Sequence, residues 1–204
     1  MILETFRSAI LAGIAISLGG FAFTVLGGTL GAVAFTFGLL TVVHYKWKLY
    51  TGVIGFIGSL KDFPQTFVTL AGNIVGCLLV ALLARVSPLG VSEAAGNILT
   101  ARLATGAWQC GLLAIGCGFV VTTAVTFGRS GQWLPLLFGV PLFIICGFPH
   151  CIADAFYYLA SPLPLLLDRF WDILLLYVCI VAGNFLGCNL YRIILPINSS
   201  KNVK

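Results

Sequence analysis

His150 and Asp154 stand four residues apart in one of the most apolar parts of the chain, inside Gly147-Phe148-Pro149-His150-Cys151-Ile152-Ala153-Asp154. An imidazole titrates near neutrality and can hold, donate or relay a proton. A carboxylate four residues on makes an H-x-x-x-D string, a pairing used for general-base acyl transfer. That chemistry needs a companion nucleophile and a catalytic domain, and the sequence offers neither. A second reading starts from the surroundings. Burying an ionisable group at membrane depth is costly, so such a group marks a functional site. The Gly and the Pro beside His150 can break a helix there. A broken helix exposes backbone N–H groups and a positive terminus without adding a formal charge, and such ends hold anions. A second polar interruption, His44-Tyr45-Lys46-Trp47-Lys48, is followed closely by Thr51. An imidazole, a hydroxyl and two helix ends converging on a narrow apolar pore suit a small monovalent anion or its protonated form. The seven cysteines all lie in apolar runs and none has CxxC spacing, so neither a disulfide framework nor a zinc site is indicated. They read as small packing residues. No metal and no cofactor is expected.

The elements that must carry these groups are membrane helices. The chain is 60% hydrophobic and 8% charged, with mean hydropathy +1.09, where soluble domains carry roughly a quarter charged residues. Its partner is therefore the lipid bilayer. The net charge of +5 is small and scattered, and no nucleic-acid partner is expected. Six apolar regions follow one another: about 8–28, 30–60, 66–83, 101–126, 133–160 and 170–195. The first reads as a spanning helix and not a removable signal peptide. The second is uninterrupted only from Leu30 to Val43, and the fifth only from Trp133 to Cys146. Both pieces are shorter than the roughly 20 residues that cross the hydrocarbon core. Loops are expected at Lys61-Asp62-Phe63-Pro64, from Ser87 through Asn97, at Gly128–Gln132 and at Ser161–Pro164, with a polar tail from Asn198 to Lys204.

Whole and broken spans alternate as whole, broken, whole, and then again. Ala71-Gly72-Asn73-Ile74-Val75-Gly76-Cys77 matches Ala182-Gly183-Asn184-Phe185-Leu186-Gly187-Cys188. An odd-numbered repeat must enter the membrane from the opposite side. The expected fold is therefore all-α: a single channel domain over 1–204, six transmembrane helices, and inverted repeats at about 5–84 and 101–195. The second and fifth helices are broken near the midplane. With cytoplasmic termini, Arg7, Lys61, Arg129, Arg192, Lys201 and Lys204 lie inside and Arg85, Arg102 and Arg169 outside. That bias favours a multi-pass protein of the cell membrane with both termini in the cytoplasm.

Gly147-Phe148-Pro149-His150-Cys151-Ile152-Ala153-Asp154-Ala155-Phe156 resembles the Gly-Phe-Glu-His-Ser-Ile-Ala-Asn-Met-Phe signature of the formate/nitrite transporter family. Gly38 through Leu49-Tyr50-Thr51-Gly52 is similar to that family's broken second helix, and the Gly-Asn…Gly patterns at Asn73 and Asn184 to its third and sixth. The resemblance covers about residues 5–195. It implies an aquaporin-like six-helix protomer, a homopentamer with one pore per protomer, and transport of formate, nitrite, hydrosulfide or a related anion. It implies that His150 is the central pore histidine and Thr51 the threonine facing it. Leu39, Leu49 and Tyr50 would line one constriction, and Phe35 and Phe143 the other. The departures are Lys48 for an acidic residue, Pro149 for glutamate, Asp154 for asparagine, and Gln132 for lysine, with no asparagine near Ile115. Lys48 and Asp154 are opposite in sign, and they are expected either to compensate each other electrostatically, directly or through His150, or to act separately, Lys48 snorkelling to the cytoplasmic vestibule and Asp154 capping a half-helix. Lys46, Lys48 and Arg129 would make a positive vestibule. The function expected is a passive or proton-coupled channel for a weak-acid anion. The alternatives are a neutral-solute pore of aquaporin type, which lacks its paired Asn-Pro-Ala breaks here, and the acyltransferase already named.

Overall fold

The computed structural model describes residues 2–57 and 63–195. Every regular element among them is helical: α1 (Ile2–Leu26), α2 (Gly28–His44), α3 (Tyr50–Val53) followed by a 3-10 turn (Ile54–Phe56), α4 (Phe63–Val86), α5 (Val91–Thr105), α6 (Ala107–Arg129), α7 (Leu134–Ile145), α8 (Cys151–Ala160), α9 (Leu163–Asp168), α10 (Phe170–Cys188) and α11 (Leu190–Ile194). Helices α1, α4, α6 and α10 are long and apolar enough to cross a membrane, whereas α2, α7 and α8 are shorter apolar helices. Lys61, Asp62 and the tail from Pro196 lie outside the described residues, as does the stretch from Gly58 to Leu60.

Two long pairs form the frame: α1 packs on α4, and α6 packs on α10. Their approach depends on glycine. A methyl group on Gly76 would collide with the carbonyl oxygen of Ile10, and one on Gly187 with that of Ile115. Gly72 and Gly183 occupy the matching positions one turn earlier, against α1 and α6. Small residues four apart on one face let two backbones touch, which replaces the hydrophobic drive that lipid removes. The duplicated heptapeptide is thus a pair of helix-docking surfaces.

The short helices end in the same way. At the end of α2, Lys46 N–H donates to Val43 O and Trp47 N–H to Val42 O. At the end of α7, Gly147 N–H donates to Ile144 O and Phe148 N–H to Phe143 O. Both are Schellman turns, which place one residue in the left-handed region. Gly147 takes that position with φ 67°, and Lys46 takes it with φ 57° despite its side chain. Between His44 and Tyr50, and between Ile145 and Cys151, the chain is not helical.

The structure corrects several boundaries. The region from Ser87 to Asn97 is not a loop throughout, because α5 begins at Val91. Val91, Ala95 and Leu99 are fully buried at four-residue spacing, a packed stripe interrupted in sequence by Ser92, Glu93 and Asn97. The fourth apolar run is likewise not one span: Gly106, at φ 95°, separates α5 from α6. The uniform apolarity across Leu103–Trp108 conceals that turn. The sixth run breaks at Asn189, whose side chain bonds the carbonyls of Phe185 and Ile54 in place of continuing the helix. A short helix, α9, follows Pro162 where only a loop was expected. Asp154 lies inside α8 and not in the interruption before it, because α8 starts immediately after His150.

Gly183→Ala places a methyl against the backbone of Gly111, which cannot move aside, whereas in Gly52→Ala the nearest atom is Leu49 Cβ at 3.6 Å. Overpacking of this kind costs about 1–3 kcal/mol. Gly183→Ala is expected to lower the melting temperature of the detergent-solubilised protein clearly and Gly52→Ala very little, as read by loss of the monodisperse peak after heating.

Candidate functional site

His150 is the N-cap of α8, with extended backbone at φ −112°. Ala153 N–H donates to its Nδ1 at 3.2 Å, the capping bond that the first turn of a helix needs. The other ring nitrogen, Nε2, lies 2.9 Å from Oγ1 of Thr51, in the first turn of α3. An imidazole that accepts at Nδ1 carries its proton on Nε2. The ring therefore donates to Thr51, and the threonine hydroxyl keeps its own proton for another acceptor. Both residues are buried, His150 at 3% and Thr51 at 0% exposure. The Phe143 ring stacks on His150 with centroids 5.7 Å apart, and Phe35 meets Phe143 edge-on at 6.1 Å. Leu39, Leu49 and Tyr50 are buried in the core nearby in sequence to Thr51 or on α2.

Two asparagines hold these half-helices in place. Asn73 Oδ1 accepts from Tyr50 N–H at 2.9 Å, and its Nδ2 donates to the carbonyls of Lys48 and Ala9. Asn184 Oδ1 accepts from Cys151 N–H at 2.8 Å, and its Nδ2 donates to the carbonyls of Pro149 and Ala114. Each amide thus satisfies the first N–H of a half-helix, the carbonyl two residues before it, and a carbonyl of a neighbouring long helix. The last residue of each heptapeptide works crosswise. Cys77 Sγ bonds Ile152 O at 3.3 Å in α8, and Cys188 Sγ lies 3.5 Å from both Thr51 O in α3 and Gly118 O in α6. Sequence reasoning missed this role of the cysteines. The signal available was their place at the end of the repeated motif.

Two cavities adjoin the Thr51–His150 pair, one lined by Leu49 and Gly52 on either side of the Tyr50-Thr51 dipeptide and the other by His150 itself. The larger, about 530 Å³, is lined by His44, Lys46, Lys48, Leu49, Arg129 and Trp133 among others. Arg129 is tied to this face, donating to Gly52 O at 2.6 Å with its guanidinium 4.1 Å above the Phe56 ring. The smaller cavity, about 220 Å³, is lined by Phe35, Arg102, Phe143, Phe148, His150 and Asp154 among others. Lys48 and Asp154 therefore line different cavities. The partner of Asp154 is Arg102 of α5, with Nε to Oδ1 at 3.3 Å. Arg102 also donates from Nη1 to Gly147 O at 2.6 Å. It went unnoticed because α5 was read partly as a loop and partly as the start of a span. His150 and Asp154 form no dyad either: the side chain of one faces Thr51 and Ala153, that of the other Arg102. Among the described residues, no group of three or more His, Cys, Asp or Glu side chains could hold a metal ion.

The sequence profile described as formate/nitrite transporter matches residues 1–195. The chain belongs to the formate/nitrite transporter family. Among solved structures, a pentameric formate channel with formate bound superposes with a TM-score of 0.77 at 22% identity, over 95% of each chain. An ion channel of the same family superposes with a TM-score of 0.72 at 20% identity, over 93% of this chain and 87% of that one. At these identities the likeness establishes the fold. No curated protein matches in sequence. Membership in a family of transporters, together with four helices apolar and long enough to span, makes this an integral membrane protein and not an enzyme. Against the family signature quoted above, the glutamate-to-proline change falls at Pro149, whose carbonyl is one of the two that Asn184 binds beside the break. The asparagine-to-aspartate change falls at Asp154 and is matched by Arg102.

Removing the Asn184 side chain strands one buried N–H and two carbonyls, each worth about 1–3 kcal/mol when left unpaired. Asn184→Ala is expected to lower the melting temperature strongly. Asn184→Asp does no better, since a carboxylate can serve Cys151 N–H but faces the two carbonyls without a proton to donate. Thermal unfolding of the two purified variants beside the parent protein measures both effects.

Proposed function

We propose that this protein is a channel for small monovalent weak-acid anions such as formate, nitrite or hydrosulfide. The observation that carries the reading is the 2.9 Å contact between Thr51 Oγ1 and His150 Nε2, made between two half-helices, with His150 lining one cavity and Leu49 and Gly52, close to Thr51 in the chain, lining another. In this reading α2 with α3, and α7 with α8, are the broken second and fifth spans of two inverted three-helix repeats, and both termini are cytoplasmic. The matching Schellman turns and the matching asparagine contacts support the repeat. The similarity to a pentameric formate channel supports a homopentamer in the cell membrane, with one pore in each subunit.

The energetic obstacle is dehydration. An isolated carboxylate moving into a dry apolar zone meets a Born penalty on the order of 20 kcal/mol before relaxation. The larger cavity gathers anions through Lys46, Lys48 and Arg129, with Leu39, Leu49 and Tyr50 forming the first constriction. At the centre the hydroxyl of Thr51, its proton uncommitted, donates to the anion in place of water. A protonated acid avoids most of the penalty, and His150 is the group placed to lend or take that proton. A proton arriving at Nδ1 must displace Ala153 N–H, so ring protonation and the cap of α8 are coupled. Phe35 and Phe143 form the second constriction, beyond which lies the smaller cavity.

Thr51→Val preserves shape and removes the donor. It is expected to cut formate flux in proteoliposomes by about tenfold, the worth of one hydrogen bond to a charged group. His150→Ala is expected to change the pH dependence of uptake or the ratio of anion to neutral-acid flux. A panel of formate, nitrite, hydrosulfide, acetate and lactate across pH, with glycerol swelling as the neutral-solute control, provides the measurement. Glycerol permeation without anion flux, or a His150→Ala profile identical to the parent in both respects, would overturn the reading.

A further inference from the structure

Resting on the channel reading above, we infer that Arg102 is the anion-docking and specificity-determining residue on the smaller-cavity side of the pore, with Asp154 as its moderating counter-ion. Arg102 and Asp154 are the charged side chains that line this cavity, which also holds His150 and the Phe35–Phe143 pair. Asp154 is 1% exposed and lies one turn into the helix that His150 caps. A carboxylate there, alone, would repel any anion leaving the aromatic constriction. Arg102 cancels that charge and sets a guanidinium beside it. Its side chain is 19% exposed and lines the cavity.

The geometry leaves the guanidinium able to take a further acceptor. Nη1 is engaged by Gly147 O at 2.6 Å and Nε by Asp154 Oδ1 at 3.3 Å, while Nη2 makes no hydrogen bond among the described residues. The carboxylate is bonded by Nε alone, at 3.3 Å against the 2.7–2.9 Å of a tight charge-assisted bond, so it satisfies the guanidinium's donors only in part. The planar fork suits a small carboxylate or oxyanion. Partial engagement has a use. Conduction requires a site favourable enough to occupy and weak enough to leave. The larger cavity does this with several exposed cations. The smaller one does it with a single cation held in check.

The test is formate flux through the full-length protein in planar bilayers, with formate supplied to one side and then the other. Asp154→Asn keeps the acceptor for Nε and removes the charge. It is expected to lower KM for formate supplied to the smaller cavity severalfold and to reduce maximal flux through slower release. Arg102→Gln should raise KM on that side by about tenfold, with Arg102→Lys between the two. KM for formate supplied to the larger cavity should barely change in any of them. If Arg102→Gln fails to fold, Asp154→Asn and Arg102→Lys decide the matter. An unchanged KM on both sides in Asp154→Asn, or equal losses of flux from both sides with KM intact, would mean that Arg102 only braces the turn at Gly147, and the inference would fail. A parent protein that conducts no anion would instead defeat the channel reading itself.

Discussion

A helix that stops inside an apolar bundle leaves backbone amides and carbonyls with no water to bond, and each one left bare costs several kcal/mol in lipid. The organisation of this chain answers that constraint. Two interruptions are tolerated because each is wired to a long helix through an asparagine that serves one amide and one carbonyl of the break at once. The asparagines are in turn positioned by close glycine contacts between long helices. Once the backbone is satisfied in this way, the free ends of α3 and α8 present Thr51 and His150 to each other. The polar contact at the centre is thus a consequence of how the interruptions are secured.

The two faces of that centre differ in electrostatic style. One cavity is broad and carries several cationic side chains at its rim. The other is less than half the volume and holds one guanidinium and one buried carboxylate bonded to each other. Small solutes passing between them would meet exposed, screened charge on one side and desolvated, paired charge on the other. Salt weakens the first kind far more than the second.

Much of this was legible in the sequence, and the reasons differ by residue. His150 stood out because ionisable groups are rare in such a composition, and Thr51 because it closely follows the other polar interruption. Asn73 and Asn184 stood out because their heptapeptide occurs twice. Arg102 did not, because a lone arginine beside an apolar run reads as a flanking charge until the turn at Gly106 and the helix before it are known. The ion-pair partner of Asp154 was not legible for a related reason. Opposite signs in two interruptions say nothing of which cavity each side chain faces, and only the three-dimensional path of α5 supplies the nearer partner. Cys77 and Cys188 were read as packing residues. A thiol's weak donor role cannot be distinguished from packing before its acceptor is located.

The crosswise thiol contacts have an implication for biogenesis. Cys77 in the first half reaches the carbonyl of Ile152 in the second, and Cys188 in the second reaches the carbonyl of Thr51 in the first. Neither half owns everything that finishes its own short helix. In a chain made from its N-terminus, the Thr51 carbonyl can meet the Cys188 thiol only after the last long helix has been translated.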